Sequence, residues 1–281
     1  WEKDEYTKEI AGPRTIKTVY LVSSQKFSND NQLLIVFSDI SKLKTLEKMR
    51  EDFIGNVSHE LRTPISVIKA NSETLLSTKL IKDENAINFT KAIQSQSERM
   101  ATIVNELLSI SSMESGDYPI SLDKLNIKNI VDSAIKELNP MTESSNIKLV
   151  NKISDITHII GDESAIKIII SNYITNAIKH SPDDEIIEID NEKIDKDFCR
   201  IKVIDNGIGI AKKYRERVFE RFFRVDKGRS KKIGGTGLGL SISKNLALMM
   251  GYSVGVESNE PKGSIFYIDV KIHQETSKEV A

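Results

Sequence analysis

The sequence predicts an α+β, multidomain chain in which a helical hairpin precedes a two-layer α/β sandwich. Three observations carry that expectation. Apolar residues spaced three and four apart run from Leu43 to Val57 and again from Phe89 to Ile110. After Pro119, short β-branched runs mix with helical patterns as far as Ile272. The length, 281 residues, is too great for one small core and suggests two or more domains.

At the N-terminus, residues 16–22 (Ile-Lys-Thr-Val-Tyr-Leu-Val) and 33–37 (Leu-Leu-Ile-Val-Phe) read as strands flanking the polar turn Ser28-Asn29-Asp30-Asn31. One hairpin alone is marginally stable. Its exit, Ile35-Val36-Phe37-Ser38-Asp39-Ile40-Ser41, runs into a charged helix and resembles the last strand and exit of a PAS sensory domain. Residues 1–40 are therefore expected to be the C-terminal part of such a domain.

From Ser41 the period changes. Leu43, Leu46, Arg50, Phe53 and Val57 form one seam, and Phe89, Ile93, Gln96, Met100, Ile103, Leu107 and Ile110 form another. Two helices with apolar seams this wide cannot bury them against each other alone, so a homodimeric four-helix bundle is expected over residues 41–115. Pro64 falls inside the first helix, where it removes a backbone donor and invites a bend. Ser115-Gly116-Asp117-Tyr118-Pro119 ends the second helix and opens a domain over 120–275. Within it the patterns predict a helix over 127–139, a strand over 146–153, a helix from Asp162 through Lys179 and a hairpin over 185–204. A helix opening near Gly239 and strands Ser253–Ser258 and Ser264–Ile272 close the domain.

Composition narrows the function. With 40 basic and 41 acidic residues the net charge is −1, so no global field favours nucleic acid or an anionic membrane surface. Cys199 is the only cysteine and sits in an apolar run, which excludes an internal disulfide and fits a buried thiol in a reduced, cytoplasmic setting. No apolar run approaches the length of a membrane helix, and no signal peptide is visible. His158 and His273 have no acidic partner at ligand spacing, so no structural zinc is expected.

Four constellations carry chemistry. In Phe53-Ile54-Gly55-Asn56-Val57-Ser58-His59-Glu60-Leu61-Arg62-Thr63-Pro64, helical geometry turns His59 away from the stripe of Val57 and Leu61 toward solvent. Thr63 lies four residues after His59 and three after Glu60, within reach of both. Asn172 and Asn176 share a helix face although Asn is a poor helix former; on their own they fit a solvated face. Asp205 ends a strand before Gly207 and Gly209, a placement that by itself reads as a turn. Gly235-Thr236-Gly237-Leu238-Gly239 precedes an apolar helix, so exposed amides and a helix N-terminus make it an anion cradle. A dinucleotide fold is disfavoured there because no strand leads into the loop and the spacing is Gly-x-Gly-x-Gly.

These segments resemble, in order, the H, N, G1 and G2 boxes of sensor histidine kinases, and Phe219-Glu220-Arg221-Phe222-Phe223-Arg224 resembles the F-box. The resemblance covers residues 41 to 273 and implies the Bergerat-type ATP-binding fold shared with gyrase and Hsp90. It implies that ATP phosphorylates His59, with Glu60 as general base, and that the phosphoryl group passes to an aspartate of a response regulator. Glu60-Leu61-Arg62-Thr63 matches the family's Glu-x-x-Thr pattern, which implies that Thr63 orients water for phosphatase activity on that regulator. For the nucleotide it implies Asn176 as the Mg²⁺ ligand and Lys179 as a phosphate-facing charge, with Asn172 on the same wall. Asp205 would read adenine, Gly207 and Gly209 would let the backbone approach the base, and Arg224 would contact the γ-phosphate. Gly235, Thr236, Gly237, Leu238 and Gly239 would hold the triphosphate. His180 stands where many relatives carry Tyr. The segment 211–234 would be a mobile lid over ATP, with Phe222 and Phe223 packing it and the run Lys227-Gly228-Arg229-Ser230-Lys231-Lys232 solvated. Because the chain begins at Trp1, it is expected to be the cytoplasmic portion of a larger, membrane-anchored bacterial sensor. The rivals from other classes are a non-catalytic dimeric signalling scaffold and a free-standing ATPase clamp. Intact His59, Glu60, Asn176 and Asp205 argue against the first, and the helical hairpin against the second.

Overall fold

A computed structural model describes residues 5–11, 18–26, 33–77, 84–143, 145–154, 158–225 and 235–273. The chain divides into two compact units, residues 1–70 and 71–281. In the first, β1 (Glu5–Ala11), β2 (Val19–Lys26) and β3 (Leu33–Asp39) form an antiparallel sheet in that order. The expected first strand therefore starts later and runs longer than 16–22, because pairing on both edges sets its limits: Tyr20 faces Ile10 and Asp39. The turn expected at 28–31 lies outside the described residues. β1 was not expected, since Glu5-Tyr6-Thr7-Lys8-Glu9 has almost no apolar face and is held by its pairing with β2.

α1 (Ser41–Ser77) starts from a tight cap. Asp39 Oδ1 accepts from the Ser41 amide and hydroxyl at 2.9 and 2.5 Å, which holds the Asp39 carboxyl below the usual carboxylate range. The Ser41 hydroxyl also accepts from the Val19 amide at 2.9 Å and so fixes the helix start to β2. The helix continues unbroken through a buried Pro64. Pro64 has no N–H, so the Glu60 carbonyl four residues earlier loses its helical donor.

In the second unit, α2 (Glu84–Ser115) ends as expected at Gly116, whose φ of +80° allows the amides of Asp117 and Tyr118 to close back on the Ser112 carbonyl at 3.0 and 3.1 Å. A five-stranded sheet follows in the order β5 (Lys148–Asn151), β7 (Ile186–Lys193), β8 (Phe198–Asp205), β10 (Ser264–Lys271) and β9 (Ser253–Ser258). Only the β5–β7 pairing is parallel. Along β8 the inward set is Cys199, Ile201, Val203 and Asp205, and along β10 it is Ser264, Phe266, Ile268 and Val270, the alternation that a half-covered sheet requires. Burial pushes the Cys199 thiol up to about 11, so it is an inert core group.

Helices α3 (Ile127–Thr142), α4 (Glu163–His180) and α5 (Gly239–Met249) form the second layer. α4 is the central one. Ile166, Ile169, Ile170, Tyr173, Ile174 and Ala177 are buried along one side, Asp162 caps its N-terminus by accepting from the Ala165 amide at 2.9 Å, and Lys179 and His180 complement its C-terminal dipole. The expected two-layer sandwich is present. A separate pairing of β4 (Asp123–Asn126) with β6 (His158–Gly161) was not expected, because four-residue strands carry too little periodicity to be seen.

Candidate active site

A cavity of about 850 Å³ opens in the second unit between α4, the ends of β8 and β10, the glycine loop before α5, and α2. The face of α4 opposite its buried stripe supplies Asn172, Thr175, Asn176 and Lys179, three and four residues apart. The expected residues Asp205, Gly209, Arg224, Gly235, Thr236, Gly237 and Gly239 line the same space. Four segments spread over more than 60 residues of sequence thus share one enclosure.

Asp205 forms the floor at 3% exposure. It ends β8 directly opposite Ser264 of β10, and its Oδ1 accepts from the amides of Gly207 at 2.8 Å and Ser264 at 3.1 Å. Those bonds leave Oδ2 for a ligand donor. Burial pushes the Asp205 carboxyl up, against the pull of the two amide bonds. Ser264 was not singled out from the sequence; its position at the start of a strand after Gly263 gave no chemical signal.

Two expected contact residues do not line the cavity. Gly207 lies behind Asp205, where an added Cβ would come within 2.6 Å of the His180 carbonyl, so glycine is needed for packing against the end of α4. The neighbouring Ile208 amide donates to that same carbonyl at 3.3 Å, satisfying a helix-terminal acceptor. Leu238 is fully buried and anchors the loop in the core. Asn172 lines the cavity, yet its Nδ2 donates to the Gly239 carbonyl at 3.0 Å and to Ser243 Oγ at 3.1 Å, tying α4 to the start of α5.

The glycine loop is held from the other side by the segment 222–224. The Phe222 amide donates to the Gly237 carbonyl at 2.8 Å, and Arg224 donates to the Gly235 carbonyl. Phe223 faces the cavity, with the Arg217 guanidinium 4.4 Å from its ring centre and Tyr214 packed at 5.9 Å. Gly237 has φ of +76°, and a Cβ there would sit 2.9 Å from Phe222 Cα. Gly237→Ala should lower stability by about 1–3 kcal/mol, read from the denaturant midpoint. The expected lid is described only as far as Val225; the basic run 227–232 lies outside the described residues.

The α2 wall, where Arg99, Thr102 and Glu106 reach the cavity, was not expected, since nothing in the helical spacing of α2 ties it to the nucleotide motifs. Burial lowers the Lys179 ammonium, with Glu106 acting against that and Arg224 and Arg99 with it. Three cations therefore converge on the end of the cavity beside the glycine amides, which makes it an anion site.

In the first unit, His59, Glu60 and Thr63 follow one another on α1 as expected. The His59 side chain lies outside the described residues, so its expected exposure does too; Glu60 is partly buried and Thr63 exposed. Among the described residues no group of His, Cys, Asp and Glu is arranged to hold a metal ion, and no helix is long and apolar enough to cross a membrane.

The chain matches two family models, the His Kinase A (phospho-acceptor) domain over residues 49–116 and the histidine kinase-, DNA gyrase B-, and HSP90-like ATPase over residues 161–274. It is 34% identical over 244 residues to the sensor-like histidine kinase SenX3 of Mycolicibacterium smegmatis, covering 86% of this chain and 63% of that protein. It is 32% identical over 267 residues to the sensor histidine kinase WalK of Bacillus subtilis, covering 92% of this chain and 43% of that protein. The chain thus spans less than two thirds of the length of either relative. A solved structure of histidine kinase ThkA in complex with the response regulator protein TrrA shares the fold, with a TM-score of 0.64 at 20% identity over 95% of this chain and 79% of that one.

Proposed function

The chain carries the phospho-acceptor domain and the ATPase domain of histidine kinases, and on that premise we propose that it uses ATP to phosphorylate His59 and passes the phosphoryl group to a response-regulator aspartate. One observation carries the nucleotide half of the proposal. A buried carboxylate with a vacant acceptor oxygen, Asp205, and an anion cradle flanked by Lys179 and Arg224 share one cavity, which suits a ligand with an amine-bearing base at one end and phosphates at the other. Asn176 lines the space between, and an amide oxygen is a hard donor, so the residues present fit Mg²⁺. When bound, the ion would neutralise charge on the phosphate oxygens.

In the transfer, an imidazole nitrogen of His59 attacks the γ-phosphorus, the bond to the bridging oxygen breaks and ADP leaves. The imidazole loses a proton to Glu60, a general-base contribution of order 10²–10⁴ in rate. Lys179 and the amides of the glycine loop offset the charge on the phosphates, the larger part of the task in phosphoryl transfer. Phospho-His59 then donates to the regulator. The solved relative bound to a response regulator supports a partner of that kind.

A homodimer through the helices is supported by large apolar side chains left exposed on each of them: Leu43 and Ile65 on α1, and Ile87, Val104 and Leu108 on α2, the last at 64% exposure. Residues 1–40 are read as the end of a PAS-like domain, 41–115 as the dimerisation and phosphotransfer hairpin and 120–275 as the catalytic domain. The chain is read as the cytoplasmic kinase portion of a larger, membrane-anchored sensor; the greater length of the relatives named as sensor kinases supports the larger protein alone.

The deciding experiment is incubation with Mg-ATP labelled at the γ position. Acid-labile, base-stable label on the protein is expected; bound nucleotide without any label would overturn the proposal in favour of a scaffold, and free phosphate without phosphohistidine in favour of a simple ATPase. The phosphatase half is tested separately. Thr63→Ala should leave labelling of His59 intact while slowing regulator dephosphorylation by about tenfold or more, the equivalent of about 1.4 kcal/mol. Equal loss of both activities would remove the separate role for Thr63.

A further inference from the structure

The unexplained wall of the cavity is α2. Leu107, Ile110 and Met113 on one side of this helix pack against the core that contains α4 and α5, and Arg221 forms an ion pair with Glu114 near its end. With that side docked, Arg99, Thr102 and Glu106, at positions i, i+3 and i+7, turn toward the cavity. The Glu106 carboxylate hydrogen-bonds Thr236, in the middle of the glycine loop, and its charge faces Lys179. Thr236 Oγ1 already accepts from the Leu238 amide at 3.2 Å, so its one hydroxyl proton is the donor to Glu106. The second carboxylate oxygen, Oε2, is buried and has no hydrogen-bond partner among the described residues.

A half-buried acid with one oxygen shut off from solvent and unsatisfied is costly unless the charge around it is favourable. Here Lys179 faces it, and Arg99 and Arg224, which line the same cavity, stand close enough to Lys179 to disfavour its charge. Its position matches what the site offers to a phosphate: a hydroxyl donor on the glycine loop and an ammonium from α4. We propose that Glu106 is a built-in anionic competitor of the nucleotide, a carboxylate by which α2 occupies the phosphate end of the cavity and holds it against triphosphate. Release of α2 from this contact then frees Thr236 and Lys179 for the phosphates, so the disposition of the helix that follows His59 in the chain sets nucleotide affinity. The coupling is reciprocal: bound triphosphate disfavours the docked helix to the same extent. The inference rests on the nucleotide-site reading above.

The test is calorimetry on the full chain with two probes, the non-hydrolysable triphosphate AMPPNP with Mg²⁺ and adenosine, which has no phosphates. Glu106→Gln keeps the shape and removes the charge; it should tighten AMPPNP about tenfold while leaving adenosine within about twofold. Glu114→Gln, which loosens the same helix away from the cavity, should shift AMPPNP in the same direction. Unchanged or weaker AMPPNP binding by Glu106→Gln, or an equal gain for adenosine, would overturn the proposal and make Glu106 a helper or a bystander. If neither probe binds the wild-type chain or any variant, it is the nucleotide site itself that fails, a result distinct from adenosine binding with no response to Glu106.

Discussion

Replacing His59 by Gln is expected to abolish incorporation of label from γ-labelled ATP while leaving nucleotide affinity unchanged. The neutral imidazole carries a nitrogen lone pair that can attack phosphorus. The amide of Gln delocalises its nitrogen lone pair into the carbonyl and is no nucleophile at phosphorus, although it is polar and helix-compatible, so α1 should persist. His59 lies on α1 in the unit 1–70, whereas every residue lining the cavity belongs to 71–281, so a change at His59 removes no cavity contact. Labelling of the variant at the wild-type level would assign the nucleophile elsewhere. Loss of both labelling and AMPPNP binding would point to misfolding instead, which circular dichroism of the variant would reveal.

The second large effect is expected from Asp205→Asn. The native carboxylate uses Oδ1 for the Gly207 and Ser264 amides and has Oδ2 left as an acceptor inside a buried floor. Asn can keep the first oxygen in place, which preserves the β8–β10 corner, but it puts an NH₂ where the second oxygen stood. An exocyclic amine then meets a donor instead of an acceptor, and two buried donors are left unpaired at about 1–3 kcal/mol each. Nucleotide affinity should fall by about 100-fold or more, for adenosine as well as for AMPPNP, because the lost contact is to the base. A variant that binds both as wild type would remove Asp205 from recognition and leave it a turn residue.

Much of the second unit was legible because its local and tertiary signals agree. β9 has the limits that the alternation implied, β10 ends one residue earlier, and α4 begins after its Asp162 cap, since inward and outward positions along these elements differ sharply in polarity. β4 and β6 were missed because each has only four residues, and β1 because it is polar and held by its neighbour. The same contrast holds in the site. Asn176, Lys179, Asp205 and the glycine loop were visible only together, as motifs in the order that the family resemblance supplies; alone, the asparagines fit a solvated face and Asp205 a turn. Ser264 was not, because a serine at the start of a strand is ordinary and acquires meaning only when its amide meets Asp205 across the β8–β10 pair.

The sequence by itself determined which groups the chain offers: His59 with Glu60 and Thr63 on one helix, the carboxylate before paired glycines, and the glycine loop at a helix start. Those depend on residue type and short spacing, which the chain fixes covalently. Tertiary structure alone decided which of these groups share a cavity, that Gly207 and Leu238 serve packing, and that Asn172 joins α4 to α5 across 67 residues of sequence. It also brought Glu106 of α2 to Thr236 and Lys179. Such contacts are set by how apolar faces pack, here Leu107, Ile110 and Met113 against the core, and the polar residues between them go where that packing carries them.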